Sequence, residues 1–231
     1  MNQRAAGSEW VDAAGKSLTD YPRPSVAVDV AVLTVEAREL SVLVVDGPRG
    51  LALPGSFLRP GERLSDAAER ALLTKAGLAG ADFHQLTMFD APDRDDRGWV
   101  LSMAHGAALP VDGLPRGARL VRIDDRTPDE PLAFDHAHMV SYAVDDLRAR
   151  YSRHLDPSRL LPDEFTVLEL RRLYEAVYGR PLPKDSFRRM VVDALETTGQ
   201  LRSGGAGRPA EIFRRRVDAE LLAGAATLVS D

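Results

Sequence analysis

The sequence predicts an α+β protein in two parts, an α/β/α sandwich followed by a smaller helical domain that ends in a hairpin. The first observation is a pair of β-branched segments, Val26–Val35 and Leu40–Val45, which are typical of neighbouring strands. The second is a Gly/Pro-rich loop that leads into a helix predicted at Leu64–Ala76 and ended by Gly77. The third is a helix–turn–helix pattern with a Gly-rich hairpin near the C-terminal end.

Further strands of the sandwich are predicted at His84–Phe89 and Val100–Leu109, with a charged loop between them. A short strand at Arg119–Ile123 lies within a loop-rich stretch. Asp135 is a candidate N-cap for the next helix, whose apolar positions recur as far as Tyr151. We expect this helix to connect the two domains.

The C-terminal domain opens with the sequence signature of a helix N-terminus. Thr166 and Glu169 have the spacing of a capping box, and the helix that they start is expected to end at Gly179. A second helix is predicted from about Asp185 to Gly199, because its apolar residues keep a helical spacing.

Two short strands, Leu201–Arg202 and Ile212–Arg216, surround a Gly-rich turn and complete the layout of a winged helix-turn-helix domain. In such domains the second helix enters the major groove of DNA by its N-terminal residues. The candidate DNA-binding residues on this helix and the wing are Lys184, Ser186, Arg188, Arg189, Arg202 and Arg208. Two alternatives remain open: a helical cap with solvated arginines, and a module that binds only protein.

Domain boundaries follow from these elements. Residues 1–24 are polar and small and are expected to form a flexible N-terminal tail. The sandwich and its connecting helix are predicted over 25–153, the winged domain over 154–216, and a C-terminal tail over 217–231.

The composition of the chain favours an anionic partner and argues against a zinc site and a membrane span. The chain has 231 residues and a net charge of −5, yet residues 155–216 hold 12 Lys/Arg against 9 Asp/Glu, or +3. A basic part on an acidic protein is the footprint that an anionic partner uses. No cysteine occurs, and His136 and His138 are expected on different faces of a helix, so a zinc site is not expected. No apolar run approaches the roughly 20 residues of a membrane span, so we expect a cytoplasmic protein without a membrane partner.

The loop–helix segment resembles the Nudix box, a pattern of Gly, five residues, Glu, seven residues, then Arg-Glu-apolar-x-Glu-Glu-x-Gly-apolar. The positions in register are Glu62, Arg70, Leu72, Gly77 and Leu78, and Ser56 stands where the box opens with Gly. The resemblance implies that the first domain is a Nudix-type α/β/α sandwich.

The residues that carry the chemistry of the box are missing. In Nudix hydrolases the glutamates after the Arg hold magnesium against a pyrophosphate, and those positions are Ala71, Thr74 and Lys75 here. Magnesium needs hard oxygen ligands, mostly carboxylates. The resemblance therefore implies a degenerate domain with no catalytic residue and no metal requirement. The alternative is a residual pyrophosphohydrolase that uses the acids Glu62, Glu69 and Glu130.

A degenerate Nudix domain followed by a winged helix resembles the NrtR family, the Nudix-related transcriptional regulators of NAD metabolism. Six runs in order carry the likeness: 85–89, 94–98, 132–136, 165–166 with 174–175, 186–189 and 207–210. The resemblance implies a homodimeric repressor of NAD-biosynthesis genes that binds palindromic double-stranded operator DNA. It also implies that the first domain binds ADP-ribose, or a related NAD-derived nucleotide, as an effector.

A pyrophosphate site without a metal still needs positive charge. The candidate effector-binding residues are Arg59, Lys75, Arg94 and Arg97, with Ser56 and Phe57 of the entry loop. Lys75 stands at a lost carboxylate position, where an ammonium replaces the charge of the ion without activating water. The alternative for Lys75 is a solvent-facing lysine that a helix C-terminus favours.

Overall fold

The structure, a computed structural model, describes residues 11–203, 209–216 and 221. The N-terminal strands are β1 (Ser25–Glu36), β2 (Glu39–Gly47), β3 (Gly50–Ala52), β4 (Gly55–Phe57), β5 (Phe83–Phe89), β6 (Val100–Ala108), β7 (Arg119–Asp124) and β8 (Thr127–Pro128). They form a sheet of order β5-β6-β1-β2-β7-β8, in which β3 pairs with β2 and β4 with β1. β1 and β6 run parallel and the other pairs are antiparallel. The longer strands predicted from the sequence are present, whereas β3, β4 and β8 are too short for an apolar pattern to mark.

The sheet is covered on both faces, which confirms the predicted sandwich. Val28, Val30 and Val32 of β1 pack in one cluster with the helix α1 (Leu64–Ala71). Their neighbours Ala31 and Leu33 belong to the cluster on the opposite face, because successive side chains of a strand alternate. After α1 the chain continues as a π-helical turn, Leu72–Ala76, and Gly77 ends it at φ 67°.

The second face is covered by α2 (His136–Tyr151), whose residues Met139, Val140 and Val144 are fully buried. Asp135 takes the N-cap position as predicted, but its carboxylate makes no capping hydrogen bond. Arg94 binds that carboxylate instead, through Nε at 2.8 Å and Nη2 at 2.6 Å.

The C-terminal domain consists of α3 (Val167–Tyr178), α4 (Lys184–Val191) and the strands β9 (Phe165–Thr166), β10 (Leu195–Arg202) and β11 (Ala210–Arg215). The strands form an antiparallel sheet of order β10-β11-β9. The predicted capping box is present: Glu169 N donates to Thr166 Oγ1 at 3.2 Å, and Thr166 N donates to Glu169 Oε2 at 2.7 Å. Gly179 ends α3 at φ 67°.

The predicted end of the second helix is wrong. The α-helix ends at Val191, a 3-10 turn continues to Ala194, and β10 begins at Leu195. Ala194 and Leu195 are both buried. Their positions therefore continue the helical spacing of apolar residues, although the backbone there is no longer an α-helix. Gly199 lies inside β10 at φ 73°, where the register with β11 shifts.

The two domains share one hydrophobic core. Buried residues of α2, α3 and α4 belong to a single cluster, which also includes β1 and β2 side chains. The helix that the sequence predicts as a connection is therefore also a structural layer of both domains. The boundaries near residues 24, 153 and 216 stay predictions. In the described part of the chain, no helix has both the length and the apolar character needed to cross a bilayer.

Candidate functional site

The Nudix-like loop is held in place by Arg70. Its guanidinium donates to both carboxylate oxygens of Glu62, from Nε at 2.8 Å and from Nη2 at 2.7 Å. It also donates to Ser56 Oγ at 2.5 Å and to the carbonyl of Phe57 at 2.9 Å. Glu62 in turn accepts from the backbone N–H of Arg59 at 2.9 Å. These hydrogen bonds between Arg70 and Glu62 tie the loop to α1 and leave the Glu62 carboxylate occupied.

The three positions that carry metal-binding glutamates in Nudix hydrolases differ in their surroundings. Ala71 is fully buried. The Thr74 hydroxyl donates to the carbonyl of Arg70 at 2.7 Å, inside its own helix. Lys75 lines a cavity and makes no ion pair with the described residues. Across residues 11–203, 209–216 and 221, no group of three or more acidic or histidine side chains is arranged to hold a metal ion.

The cavity beside α1 has a volume of about 380 Å³ and lies among β1, β2, β4, the loop before β6 and the start of α2. The predicted residues in its lining are Ser56, Phe57, Lys75, Arg94 and Arg97. Arg59 is not among the lining residues and is exposed. The acids proposed for residual hydrolysis, Glu62, Glu69 and Glu130, do not line it either.

The cavity's two arginines are already held by carboxylates. Arg94 is bound by Asp135, with 4% of its side chain exposed. Arg97 donates to Asp95 from Nε at 2.8 Å and from Nη2 at 2.6 Å. The Arg97 hydrogen bonds lower the pKa of Asp95 to about 2, so this carboxylate stays ionised. Lys75 is therefore the cation of the lining without a fixed counter-ion among the described residues.

Two aromatic rings flank Arg97. Its guanidinium carbon lies 5.1 Å from the ring centroid of Phe57 and 5.1 Å from that of Phe134. Phe134 is a non-glycine residue at φ 56°, a costly conformation that surrounding contacts must impose. Both rings are partly exposed, Phe57 at 41% and Phe134 at 36%. The cavity therefore offers flat apolar surfaces beside its positive charge.

The inner wall of the cavity contains two polar groups that the sequence did not indicate. Asp29 on β1 is buried and accepts from Ser102 Oγ at 2.6 Å. His136 Nδ1 accepts from the backbone N–H of Leu53 at 2.9 Å, so the ring proton belongs on Nε2, 3.5 Å from Asp29 Oδ1. Burial lowers the pKa of His136, which keeps the imidazole neutral. A single acid inside a predicted strand carries no sequence signal; a fold-level alignment of β1 with β4 would have been needed to find it.

The second candidate site is the exposed side of α4. Lys184, Arg188 and Arg189 are exposed and Ser186 is half-buried, whereas Phe187 points into the core. None of the three cations makes an ion pair with a described residue. Lys184 and Arg188 also line a groove between α3, α4 and the strands β10 and β11.

The arginines of the wing strands differ from those of α4. Arg202 donates to Glu169 Oε1 at 2.9 Å and Oε2 at 3.0 Å. Arg214 binds Glu164, and Arg215 binds the buried Asp156. Arg202, a predicted DNA-binding residue, thus has a carboxylate partner, and Arg208 lies outside the described residues.

Comparison with known proteins gives matches to both parts of the chain. Residues 157–215 match the family model of the NrtR DNA-binding winged helix domain. A protein of Acinetobacter baylyi, described as an ADPR-responsive transcriptional repressor NtrR, is 29% identical over 210 residues, covering 85% of this chain and 84% of that protein. An ADP-ribose pyrophosphatase of Methanocaldococcus jannaschii is 31% identical over 124 residues, covering 52% of this chain and 73% of the enzyme.

Among solved structures, the crystal structure of Shewanella oneidensis NrtR in complex with a 27mer DNA superposes with a TM-score of 0.68 at 27% identity. The superposition covers 88% of this chain and 96% of the NrtR chain. The likeness therefore includes the sandwich, the winged domain and their arrangement.

Proposed function

Because this chain belongs to the NrtR family of Nudix-related transcriptional regulators, we propose that it is a DNA-binding repressor of NAD-biosynthesis or salvage genes whose Nudix domain senses ADP-ribose or a related nucleotide. One observation carries the proposal: the cavity and the recognition helix each present cations without a fixed counter-ion in the described structure, Lys75 in the first and Lys184, Arg188 and Arg189 in the second. Both are places where a phosphate can bind. The protein would act in the cytoplasm, where operator DNA and nucleotide are both present.

In the cavity, Lys75 is proposed to bind the pyrophosphate. A lysine ammonium is a compact charge that binds phosphate well. Arg97, which lines the same cavity, would add charge while Asp95 keeps it in position. The rings of Phe57 and Phe134 offer apolar contact, and the Asp29 carboxylate offers an acceptor for hydroxyl groups. Arg94 would affect nucleotide binding only through Asp135, because its side chain is nearly buried against that carboxylate.

We propose that the domain binds the nucleotide without hydrolysing it and requires no metal. Ala71 offers no ligand atom, the Thr74 hydroxyl donates within its helix, and Lys75 brings a positive charge. Residual pyrophosphohydrolysis is the alternative, favoured only by the likeness to the archaeal enzyme. Incubation with ADP-ribose and Mg²⁺ or Mn²⁺ should release no AMP above background; turnover abolished by Glu62→Gln would contradict the proposal.

On DNA, α4 is the proposed reading helix. Ser186 lies near its N-terminal end, where such helices contact base edges, and Arg188 and Arg189 follow on the exposed side of its last turn. These three residues are proposed to contact bases, and Lys184 is proposed to contact phosphate. Arg202 and Arg208 of the wing remain candidates for backbone or minor-groove contact. A homodimer is proposed because a palindromic operator presents two equivalent half-sites about one helical turn, ~34–36 Å, apart or a multiple of it.

A gel-shift titration on the promoter of the protein's own gene, with and without ADP-ribose, tests this function. We expect a shifted complex that ADP-ribose dissociates. No specific complex under any condition would contradict the DNA-binding part of the proposal. A complex indifferent to ADP-ribose would contradict the sensing part.

Linkage adds a reciprocal test. If ADP-ribose weakens operator binding tenfold, the coupling free energy is about 1.4 kcal/mol, and the operator must weaken ADP-ribose binding by the same factor. Calorimetric titration of ADP-ribose should therefore give a larger dissociation constant when operator is present. Equal constants would mean that this nucleotide is not the signal, even if it binds.

A further inference from the structure

A buried carboxylate joins the end of α2 to the wing. Asp156 follows α2 in the connection between the domains, and its side chain is 0% exposed. It accepts from the Tyr151 hydroxyl at 2.6 Å, from Leu160 N at 2.8 Å and from Leu161 N at 3.1 Å. The Arg215 guanidinium binds the same carboxylate, with Nε at 3.1 Å from Oδ2. We call this set of contacts around Asp156 the clasp.

Arg215 brings the wing into the clasp. It is the last residue of β11, and it also donates to the carbonyls of Leu161 and Pro162, at 2.7 and 3.0 Å. Its guanidinium carbon lies 4.9 Å from the ring centroid of Phe165. The side chain of this wing arginine is thus largely buried, and its guanidinium fixes β11 against the connecting segment.

Tyr151, the last residue of α2, is linked through one intermediate residue each to the wing strand β11 and to helix α4. Its hydroxyl reaches the wing through Asp156 and Arg215. Its ring packs on Tyr174 of α3 with centroids 5.4 Å apart, and Tyr174 packs on Phe187 of α4 at 5.2 Å. All three rings are fully buried. A shift of the α2 end would therefore act on the recognition helix through aromatic contacts and on the wing through a carboxylate.

The other end of α2 lies at the nucleotide cavity. His136, its first residue, lines the cavity, and Asp135 before it binds Arg94 of the same wall. One helix thus has its first turn at the effector site and its last residue in the clasp. Packed side chains and hydrogen bonds of this kind can carry energetic coupling between distant sites.

We infer that Tyr151 and Asp156 are positioning residues that transmit the state of the cavity to the wing, so that the clasp sets the response of operator binding to the nucleotide. The inference rests on the proposed function. It makes Arg215 a structural partner of Asp156 and not a contact to DNA. Releasing the clasp should uncouple the two sites while leaving the cavity intact.

The variant Tyr151→Phe tests the clasp with the least disturbance, because it removes only the hydroxyl and keeps the ring on Tyr174. Tyr178→Phe is the matched control: that hydroxyl also links α3 to α2, by donating to the carbonyl of Arg148 at 2.8 Å, but lies outside the clasp. Asp156→Asn and Arg215→Lys are the second variants. For each full-length protein, operator affinity is measured by fluorescence anisotropy with and without saturating ADP-ribose, and ADP-ribose affinity by calorimetry without DNA.

The wild type and Tyr178→Phe should show about a tenfold loss of operator affinity on ADP-ribose addition. In Tyr151→Phe this factor should fall below about threefold, while the ADP-ribose dissociation constant without DNA stays unchanged. A merely structural role would lower the melting temperature and leave the factor intact. A wild-type factor in both Tyr151→Phe and Asp156→Asn would overturn the inference.

Hydrogen exchange separates failure of the clasp from failure of the proposed function. In Arg215→Lys, the amides of residues 210–215 should exchange faster than in the wild type, with or without nucleotide, because the guanidinium that anchors β11 is gone. In Tyr151→Phe the same amides should exchange faster by a smaller amount, because Asp156 has lost one of the hydrogen bonds that hold it against Arg215. If ADP-ribose does not change the operator affinity of the wild type, the proposed function fails. In that case, variants whose residues 210–215 exchange at the wild-type rate would also contradict the role of the clasp in holding β11.

Discussion

The recognition helix and the wing have the same kind of charge but use it differently. Lys184, Arg188 and Arg189 on α4 are exposed and make no ion pair with the described residues. Each arginine within β10 and β11 is bound to a carboxylate: Arg202 to Glu169, Arg214 to Glu164 and Arg215 to Asp156. An unpaired cation can bind a phosphate without first breaking a protein ion pair. The cations of α4 are therefore the ones that we propose contact DNA, whereas the arginines of the wing strands hold the wing in place.

The proposed nucleotide cavity shows the same difference between paired and unpaired cations, with fewer residues. Arg94 and Arg97 are fixed by Asp135 and Asp95. Lys75 has no such partner in the described structure. A count of charges treats all these residues alike, whereas the structure separates the cations that are paired with a carboxylate from those that have no such partner among the described residues.

The largest expected effect comes from the helix. Replacing both Arg188 and Arg189 by alanine should remove specific operator binding, because each base-contacting arginine contributes about 1–3 kcal/mol. The measurement is operator affinity by anisotropy at fixed salt. Arg126→Ala removes an exposed arginine that pairs with Asp145 in the Nudix domain, and it should bind operator like the wild type. If the double variant also does so, α4 is not the reading helix.

A smaller effect is expected from the cavity. Lys75→Gln should weaken ADP-ribose binding by roughly 1.5–3 kcal/mol, the usual contribution of a hydrogen bond to a charged group. Calorimetry without DNA measures it. Arg59→Gln is the control, because Arg59 is an exposed arginine of the same loop–helix segment that does not line the cavity. Equal losses in the two variants would show that general charge, and not the position of Lys75, attracts the nucleotide.

The wing offers a test in the opposite direction. Glu164→Gln should release Arg214 for phosphate contact, so that the slope of log affinity against log salt steepens by up to about 0.9. Binding should tighten modestly at low salt. Glu211→Gln is the matched control, since Glu211 lies on β11, accepts from Thr197 and pairs with no arginine among the residues that the structure describes. An unchanged slope for Glu164→Gln would mean that Arg214 stays away from DNA even when free.

The smallest expected effect is a pH dependence of stability. Burial lowers the pKa of His136 below 6.5, so the unfolded chain binds a proton that the folded protein excludes. The free energy of unfolding should therefore fall as pH drops below 6.5, by at most about 1.4 kcal/mol per pH unit from this group. The carboxylate of Asp95, with a pKa of about 2, keeps its arginine pair throughout this range.

Chemical denaturation at pH 7 and 5 measures this dependence. His136→Asn keeps an acceptor near the Nδ1 position and should reduce the difference in unfolding free energy between the two pH values. His138→Asn, on an exposed position of the same helix, should leave the difference as it is. A His136→Asn protein with the wild-type difference would place the acid sensitivity elsewhere.

The sequence by itself determined the elements with strong local signals. A run of β-branched residues specified β1, and helical spacing with a glycine stop specified the helix that ends at Gly77. A capping box placed the start of α3 at Thr166. These signals are local because a strand face, a cap and a left-handed terminus each depend on a few neighbouring residues. The resemblance to the Nudix box could be recognised for the same reason, since its spacing reflects one loop and one helix.

Only the tertiary structure decided which charged residues are paired with an opposite charge and which are not. Asp95 and Arg97 are close in the chain. The other ion pairs join residues that are far apart in sequence: Arg94 with Asp135, Arg202 with Glu169 and Arg215 with Asp156. The same holds for Asp29 and His136, which meet only because β1 and the start of α2 border one cavity. Helical spacing also failed at Leu195, where burial continued while the backbone became a strand. Ion pairing depends on distances of a few ångströms between segments, and no local pattern encodes those distances.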